Sequence, residues 1–301
     1  MDELDARVAA LSAGRRRLLR RLAALEPEVQ AATEPDNSGP PGTGSSSAAS
    51  DIGAFYDTIT ARLDATPAGP WAVFLNYGYC GGSDDQGAVT VPEHTVDRTS
   101  VKLVVELVGD CTIGGRHVLD VGCGRGGTVA TLLRYYSPRA VVGVDLSPAA
   151  ISFCRRSQHD RRARFEVGDA QRLTFPDSSF DVVTNLESSH CYPDVGAFYA
   201  EVRRVLRPGG IFLYTDLLTT SSLPTRRVAL ARLGLRLETE RDVTANVLRS
   251  CDLVAARRSV AFAGTSGSEL DDFLAVPGSI HYERMRSGEA TYIIWRFRAP
   301  S

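Results

Sequence analysis

Apolar residues along the chain fall into two kinds of pattern, and their alternation predicts the architecture. Short runs of Val, Ile, Leu and Phe predict buried strands at 117–121, 140–145, 164–167, 180–185, 211–215 and 291–298. Between them, apolar positions recur at the spacing of one helix face and predict helices over 127–136, 148–157 and 195–206. Strands separated by helices are not joined by hairpins, so the expected fold class is α/β, with a mostly parallel sheet covered by helices on both faces. Segments before residue 110 read as helices laid over the sheet edge.

Two stretches fall outside this alternation. Leu4, Val8, Leu11, Leu18, Leu22 and Leu25 line one seam of a helix, interrupted by Arg15, and define an N-terminal unit over 1–33. That seam serves either to dock or dimerise the chain or to lie on the main domain. Residues 34–50 are rich in Pro, Gly and Ser and lack apolar surface to offset the entropy of ordering, so they are expected to form a flexible linker. The remaining unit is 51–301. Within it, 217–288 is expected to form a helical lid over an acceptor, with Phe262, Leu270, Phe273 and Leu274 lining an apolar site or packing in the core.

Composition narrows the function classes. Hydrophobic residues make up 43% and charged residues 23%, ordinary for a globular protein. A net charge of −2 offers no basic field for nucleic acid. No apolar run approaches the roughly 18 residues of a membrane span, and the N-terminus lacks the basic-then-apolar layout of a secretion signal. The six cysteines lie far apart without a C-x-x-C pair, so neither zinc nor a disulfide framework is expected. The expected location is the cytoplasm, with reduced thiols. No Asp and Asn cluster suggests a magnesium site, and no metal is expected.

The chemistry concentrates in His117-Val-Leu-Asp120-Val-Gly122-Cys-Gly124-Arg-Gly126-Gly127. An apolar strand runs into a glycine loop that opens a helix, which lets the backbone approach a ligand closely. Gly122, Gly124 and Gly127 also fit the dinucleotide pattern G-x-G-x-x-G, so a nicotinamide cofactor is formally open. Three carboxylates shift the balance. Asp120, two residues before the first glycine, suits a cationic ammonium and suits a pyrophosphate poorly. Asp145 ends the next strand, where a carboxylate accepts from both ribose hydroxyls. Asp169 ends the third strand and can accept from an adenine amino group.

These segments, in this order, resemble the class I S-adenosylmethionine-dependent methyltransferases. The fourth strand and the turn Leu206-Arg-Pro208-Gly-Gly210 before the fifth are similar as well, over about 51–301. The resemblance implies a Rossmann-like, mostly parallel seven-stranded sheet with a helical lid. It also implies S-adenosyl-L-methionine as cofactor, with S-adenosyl-L-homocysteine as product. By that resemblance Asp120, Gly122, Gly124 and Gly126 hold the methionine end, Asp145 with Leu146 the ribose, and Asp169, Ala170 and Gln171 the adenine. Asn185 is expected beside them. The segment Phe74-Leu-Asn76-Tyr77-Gly78-Tyr79 is similar to an aromatic motif that covers the donor in relatives, which points to Tyr79. Cys80 stands where those relatives often carry Trp.

The fourth strand runs on into Asn185-Leu-Glu187-Ser-Ser-His190-Cys-Tyr-Pro193-Asp194. Its stretch from Asn185 to His190 is similar to the phthiotriol methyltransferase-like group and related polyketide, lipid and sugar natural-product O-methyltransferases. A His just before a Pro-Asp pair, with an Asp ending strand five, resembles small-molecule O-methyltransferases of this fold. His190 is the expected general base and Asp216, at the end of strand five, its orienting partner, with Glu187 an alternative base. The expected reaction is O-methylation of a hydroxyl on a small natural product. N- or C-methylation and a non-catalytic scaffold that keeps the fold are the competing readings. The run from Leu11 to Leu19 resembles linkers of peptide and polyketide assembly lines, which implies docking to a carrier protein or synthase.

Overall fold

The computed structural model describes residues 45–66, 69–82, 85–261 and 272–301. The expected N-terminal helix, Phe262 and Leu270 lie outside the described residues. Seven strands form one sheet in the order β3-β2-β1-β4-β5-β7-β6. They are β1 (His117–Val121), β2 (Ala140–Asp145), β3 (Ala163–Val167), β4 (Phe180–Leu186), β5 (Leu206–Thr219), β6 (Arg236–Asp242) and β7 (Ala290–Arg298). Pairings among β1 to β5 are parallel, and β7 inserts antiparallel between β5 and β6. The chain winds outward from β1 to β3 and then returns to β4 on the other side of β1. That reversal leaves a crevice beyond the carboxyl ends of β1 and β4, where open α/β sheets bind ligands.

Period-two alternation in the strands divides the core between the two sheet faces. Val118, Val141, Val182 and Ile211 pack on one face. Leu119, Val121, Val183 and Phe212 pack on the other. The first face is covered by helices including α2 (Arg98–Val108) and α3 (Gly127–Tyr135), the second by α5 (Val195–Val205) and α6 (Leu223–Arg232). Helix starts follow their local chemistry. Ser147 caps α4 (Pro148–Ser157) by accepting from the Ala150 N–H at 3.0 Å, with proline in the first turn. Asp194 caps α5 through the Ala197 N–H at 2.9 Å.

Two expectations about the flanking segments need correction. Ser45–Ser50, expected in the linker, form the first turns of α1 (Ser45–Asp64). The lid expected over 217–288 instead divides between sheet and site. Leu223–Arg232 is helix α6 on the second sheet face and Arg236–Asp242 is strand β6, while α7 (Thr244–Ala261) sinks Val247 and Cys251 into the core and its Asn246 bonds the Cys80 carbonyl at 3.2 Å. β6 escaped notice because Arg-Leu-Glu-Thr-Glu-Arg-Asp has no apolar run. It is an edge strand whose charged side chains discourage further pairing. Ion pairs hold it, Glu238 to Arg298 at 2.6 Å and Arg241 to buried Glu106 at 3.0 Å.

Candidate active site

At the switch-point crevice lies a cavity of about 510 Å³, walled by the glycine loop, the ends of β2, β3 and β4, the segment 73–77, Tyr56 of α1, and Phe273 and His281. Its size suits a small-molecule site, since such sites run to about 300–1,000 Å³. The loop itself needs glycine. Gly122 has φ 73, and a Cβ there would fall 2.2 Å from the Ser188 hydroxyl. Gly126, at φ 83, turns the chain into α3 with Cys154 and Phe165 against it.

The direction of the loop's amides tests what it can bind. The N–H groups of Gly122 and Cys123 donate to the Val144 carbonyl, and that of Gly126 to the Cys123 carbonyl. The Gly124 N–H donates to Asp145 Oδ2 at 2.8 Å. A pyrophosphate needs such amides turned outward, and here it would meet a carboxylate instead. Asp145 is held on its other side by the Ser147 N–H at 2.9 Å. Burial raises its pKa, against the pull of these backbone donors. Leu146, Asp169, Ala170 and Gln171 continue the same wall. Asp169 is fixed by the Gln171 N–H at 2.9 Å and by the Gln171 side chain at 3.1 Å. The cradle fits a nucleoside with a neutral or cationic tail.

Other expected donor ligands sit behind this wall rather than in it. Asp120 is 1% exposed and takes the Thr184 hydroxyl at 2.7 Å on Oδ1, while its buried Oδ2 makes no hydrogen bond among the described residues. Burial pushes its carboxyl up to about 7, so a cation placed nearby would be needed to hold it ionised. Asn185 is fully buried, and its amide donates to the Val121 carbonyl, Ser188 and Tyr192. It braces the loop ends of β1 and β4. Gly126 lies outside the cavity wall, and its part is the turn. Tyr79 is fully buried with Lys102 5.7 Å from its ring centroid, and Asn76 and Tyr77 of the same motif reach the cavity in its place.

On the other side of the cavity stand the expected catalytic groups. His190 Nδ1 is 2.6 Å from Asp216 Oδ1, and the His190 backbone N–H donates to Oδ2 at 3.0 Å. Asp216 is fully buried and the His190 side chain is 35% exposed. Burial pulls the imidazole's pKa down, but Asp216 and the adjacent Cys191 outweigh it, leaving the pKa well above the ordinary 6.5. Burial in turn pushes the Cys191 thiol up, and His190 with the Tyr56 hydroxyl, 3.4 Å from the sulfur, bring it below its usual value.

Glu187 differs from a free base. It has φ 49, a left-handed conformation that costs a non-glycine residue roughly 1–3 kcal/mol. Its carboxylate accepts the Tyr77 N–H at 2.9 and 3.2 Å and the Tyr292 hydroxyl. The residue ties the segment 73–77 to β7 across the cavity end.

Some residues of the site gave no sequence signal. Arg125, inside the glycine motif, has a fully buried side chain stacked 3.6 Å from the Phe153 centroid. Its guanidinium donates to the carbonyls of Ala72 at 2.6 Å and Gly69 at 2.7 Å and pairs with Asp64 at 2.8 Å, fastening the segment below α1 onto the loop. His281 enters the cavity wall from α8 (Ile280–Ser287), and its buried Nδ1 makes no hydrogen bond among the described residues. Cys191 follows the expected base in the chain without a role assigned to it, whereas His281 stands in no motif and only the fold brings it to the cavity. Among the described residues, no group of three His, Cys, Asp or Glu is placed to hold a metal, and no helix is long and apolar enough to cross a membrane.

Comparison with known proteins agrees with this geometry. A methyltransferase-domain family matches residues 119–214, which run from β1 into β5. A fatty-acid O-methyltransferase of Mycolicibacterium smegmatis is 36% identical over 76% of this chain and 84% of its own length. A phthiotriol/phenolphthiotriol dimycocerosates methyltransferase of Mycobacterium tuberculosis is also 36% identical, over 75% and 84%. Among solved structures, geranyl diphosphate C-methyltransferase from Streptomyces coelicolor, in complex with S-adenosyl-L-homocysteine, superposes with a TM-score of 0.61. It has 20% identity over 83% of this chain and 97% of that one, a likeness of fold. With the crevice, the inward-turned glycine loop and these relatives together, the chain belongs to the S-adenosylmethionine-dependent methyltransferases of the class I, Rossmann-like fold.

Proposed function

We propose that this enzyme transfers a methyl group to oxygen on a small, largely apolar acceptor, with His190 handling the acceptor's proton and Asp216 orienting the imidazole. The observation that carries the reading is the 2.6 Å contact between His190 Nδ1 and the buried Asp216 carboxylate at the cavity wall. S-adenosylmethionine supplies an electrophilic methyl group on a sulfonium. Asp145 accepts from the ribose hydroxyls, and Asp169 with Gln171 meets the adenine. Asp120 acts from behind the glycine loop, as a buried anion that steadies the positive end. Asp216 accepts the Nδ1 proton, which leaves Nε2 as the basic nitrogen toward the acceptor. Tyr56, Phe273 and Phe74 shield the site from water.

The His190 pKa, well above the ordinary value beside the buried Asp216, supports a second reading. An imidazolium at neutral pH is a poor base for a hydroxyl but a good anchor for a carboxylate, which needs no base to become a nucleophile. One relative is a fatty-acid O-methyltransferase.

The test is methyl transfer from labelled S-adenosylmethionine to long-chain alcohols, phenols and fatty acids, followed by alkali. An ether survives and an ester is cleaved. For a hydroxyl acceptor, His190→Ala is expected to lower kcat by roughly 10²–10⁴-fold with S-adenosylhomocysteine binding retained. The pH profiles have opposite signs. A base must be neutral, so kcat/KM climbs as pH rises through the raised His190 pKa. An anchor must be protonated, so kcat/KM falls over the same range. Label found on nitrogen or carbon, or full activity in His190→Ala, rejects the proposal.

A further inference from the structure

Asp216 is more than a partner for His190, because its other oxygen ends a chain of hydrogen bonds that runs through the protein to helix α6. Ser189 Oγ donates to Asp216 Oδ2 at 2.6 Å and lies 2.6 Å from the Tyr214 hydroxyl. The Tyr199 hydroxyl donates to that of Tyr214 at 3.4 Å, and Arg226 Nη1 reaches both, at 3.2 and 3.5 Å. Ser189, Tyr199, Tyr214 and Asp216 are all essentially buried, while Arg226 sits half-buried at the outer end.

Elementary donor and acceptor rules fix every proton in this chain. A guanidinium only donates and an ionised carboxylate only accepts. The single hydroxyl proton of Ser189 therefore points at Asp216, so Tyr214 must donate to Ser189. Tyr214 has then no proton left for Tyr199, which donates to Tyr214 in turn, and Arg226 donates to both phenols. A cation stands at one end, an anion at the other, and each link polarises the next. The same attraction appears at the far end, where Tyr214, Tyr199 and Asp216 raise the Arg226 pKa against its burial.

We propose that Arg226, acting through Tyr214 and Ser189, is a positioning residue that draws charge off Asp216 and so weakens its hold on the His190 proton. The inference rests on the His190–Asp216 reading, but it holds whether His190 acts as base or as anchor. Asp216 accepts four hydrogen bonds, from Ser189, the His190 backbone and ring, and the Leu217 N–H. Only the Ser189 bond is driven by a cation elsewhere. A carboxylate stripped of that support is more basic, and it grips the imidazolium harder. Cutting the chain therefore raises the His190 pKa, the opposite of what loss of Asp216 itself would do.

Other charged or titratable groups around His190 are Cys191 in its own turn, Tyr56 from α1 and His281 from α8. Glu187 at the end of β4 and Asp272 complete the wall. None is altered by a change at Arg226 or Tyr214.

The experiment is an NMR titration of the full chain carrying ¹³C-histidine. Its five histidines are resolved by the signal that disappears in His190→Gln. In Arg226→Met and Tyr214→Phe the His190 midpoint is expected to move to higher pH by about half a unit, since hydrogen bonds to charged groups are each worth on the order of one unit. Arg226→Lys, which keeps the cation, should return part of the shift. A midpoint unchanged or lowered in Arg226→Met overturns the inference, and this variant alone decides if Tyr214→Phe does not fold. The titration reads no turnover. An active His190→Gln would therefore remove the base assignment while leaving the relay result standing.

Discussion

The two halves of the cavity are built by different means. On the side proposed to hold the donor, Asp145 and Asp169 are each held by a backbone amide two positions further along, Asp145 by Ser147 and Asp169 by Gln171. On the acceptor side, the contacts join distant parts of the chain. Tyr56 meets Cys191 across 135 positions, Tyr77 meets Glu187 across 110, and Tyr292 meets Glu187 across 105. A site made of local turns can be preserved as a motif while the rest of the chain changes. A site made of long-range contacts depends on the completed fold, and it is there that substrate choice can vary without disturbing the donor.

That contrast can be broken at its strongest point first. Asp145→Ala should weaken S-adenosylhomocysteine binding by roughly 10²–10⁴-fold, because two hydrogen bonds to a charged acceptor are lost at about 1.5–3 kcal/mol each. Calorimetric titration measures it, and a loss below tenfold would mean that the ribose is held elsewhere. Glu187→Gln probes the other half. It removes a half-buried charge that accepts from two distant segments, and a loss of about 1–3 kcal/mol in stability is expected. Thermal unfolding should show a lower Tm, with a smaller effect on S-adenosylhomocysteine affinity than Asp145→Ala has. The reverse ranking would make Glu187 a donor ligand. Smallest of all, Tyr79→Phe should leave that affinity within about twofold, since the hydroxyl lies in the core away from the cavity.

The same division explains what could be read from the sequence. Strand ends, the glycine loop and Asp145, Asp169, Ala170 and Gln171 were legible because local periodicity and short-range turns set them. The pairing of His190 with Asp216 was legible for a different reason. The last residue of β4, Leu186, pairs with Thr215 of the adjacent parallel β5, so the turn after β4 that carries His190 lies beside Asp216, although β5 itself runs on to Thr219. Less legible is which motif side chains face the cavity. Tyr77 and Tyr79 stand two apart, a spacing that shares one side of an unbroken strand, and the turn at Gly78, with φ 79, separates them so that Tyr77 lines the cavity and Tyr79 does not. Asp120 and Asn185 stand on neighbouring strands with side chains taken up by Thr184, Val121 and Ser188, a choice made by packing. β6 has no apolar pattern and exists because β7 offers it an edge.

Arg125 carries a consequence for how the molecule can be watched. It belongs to the glycine loop on the floor of the cavity, yet its whole side chain is committed to the roof, at Ala72, Gly69 and Asp64. Floor and roof therefore form one cooperative unit, and linkage requires that whatever braces one also braces the other. Resistance of α1 to a protease then becomes a gauge of methyl-donor occupancy, readable on a gel without knowing the acceptor.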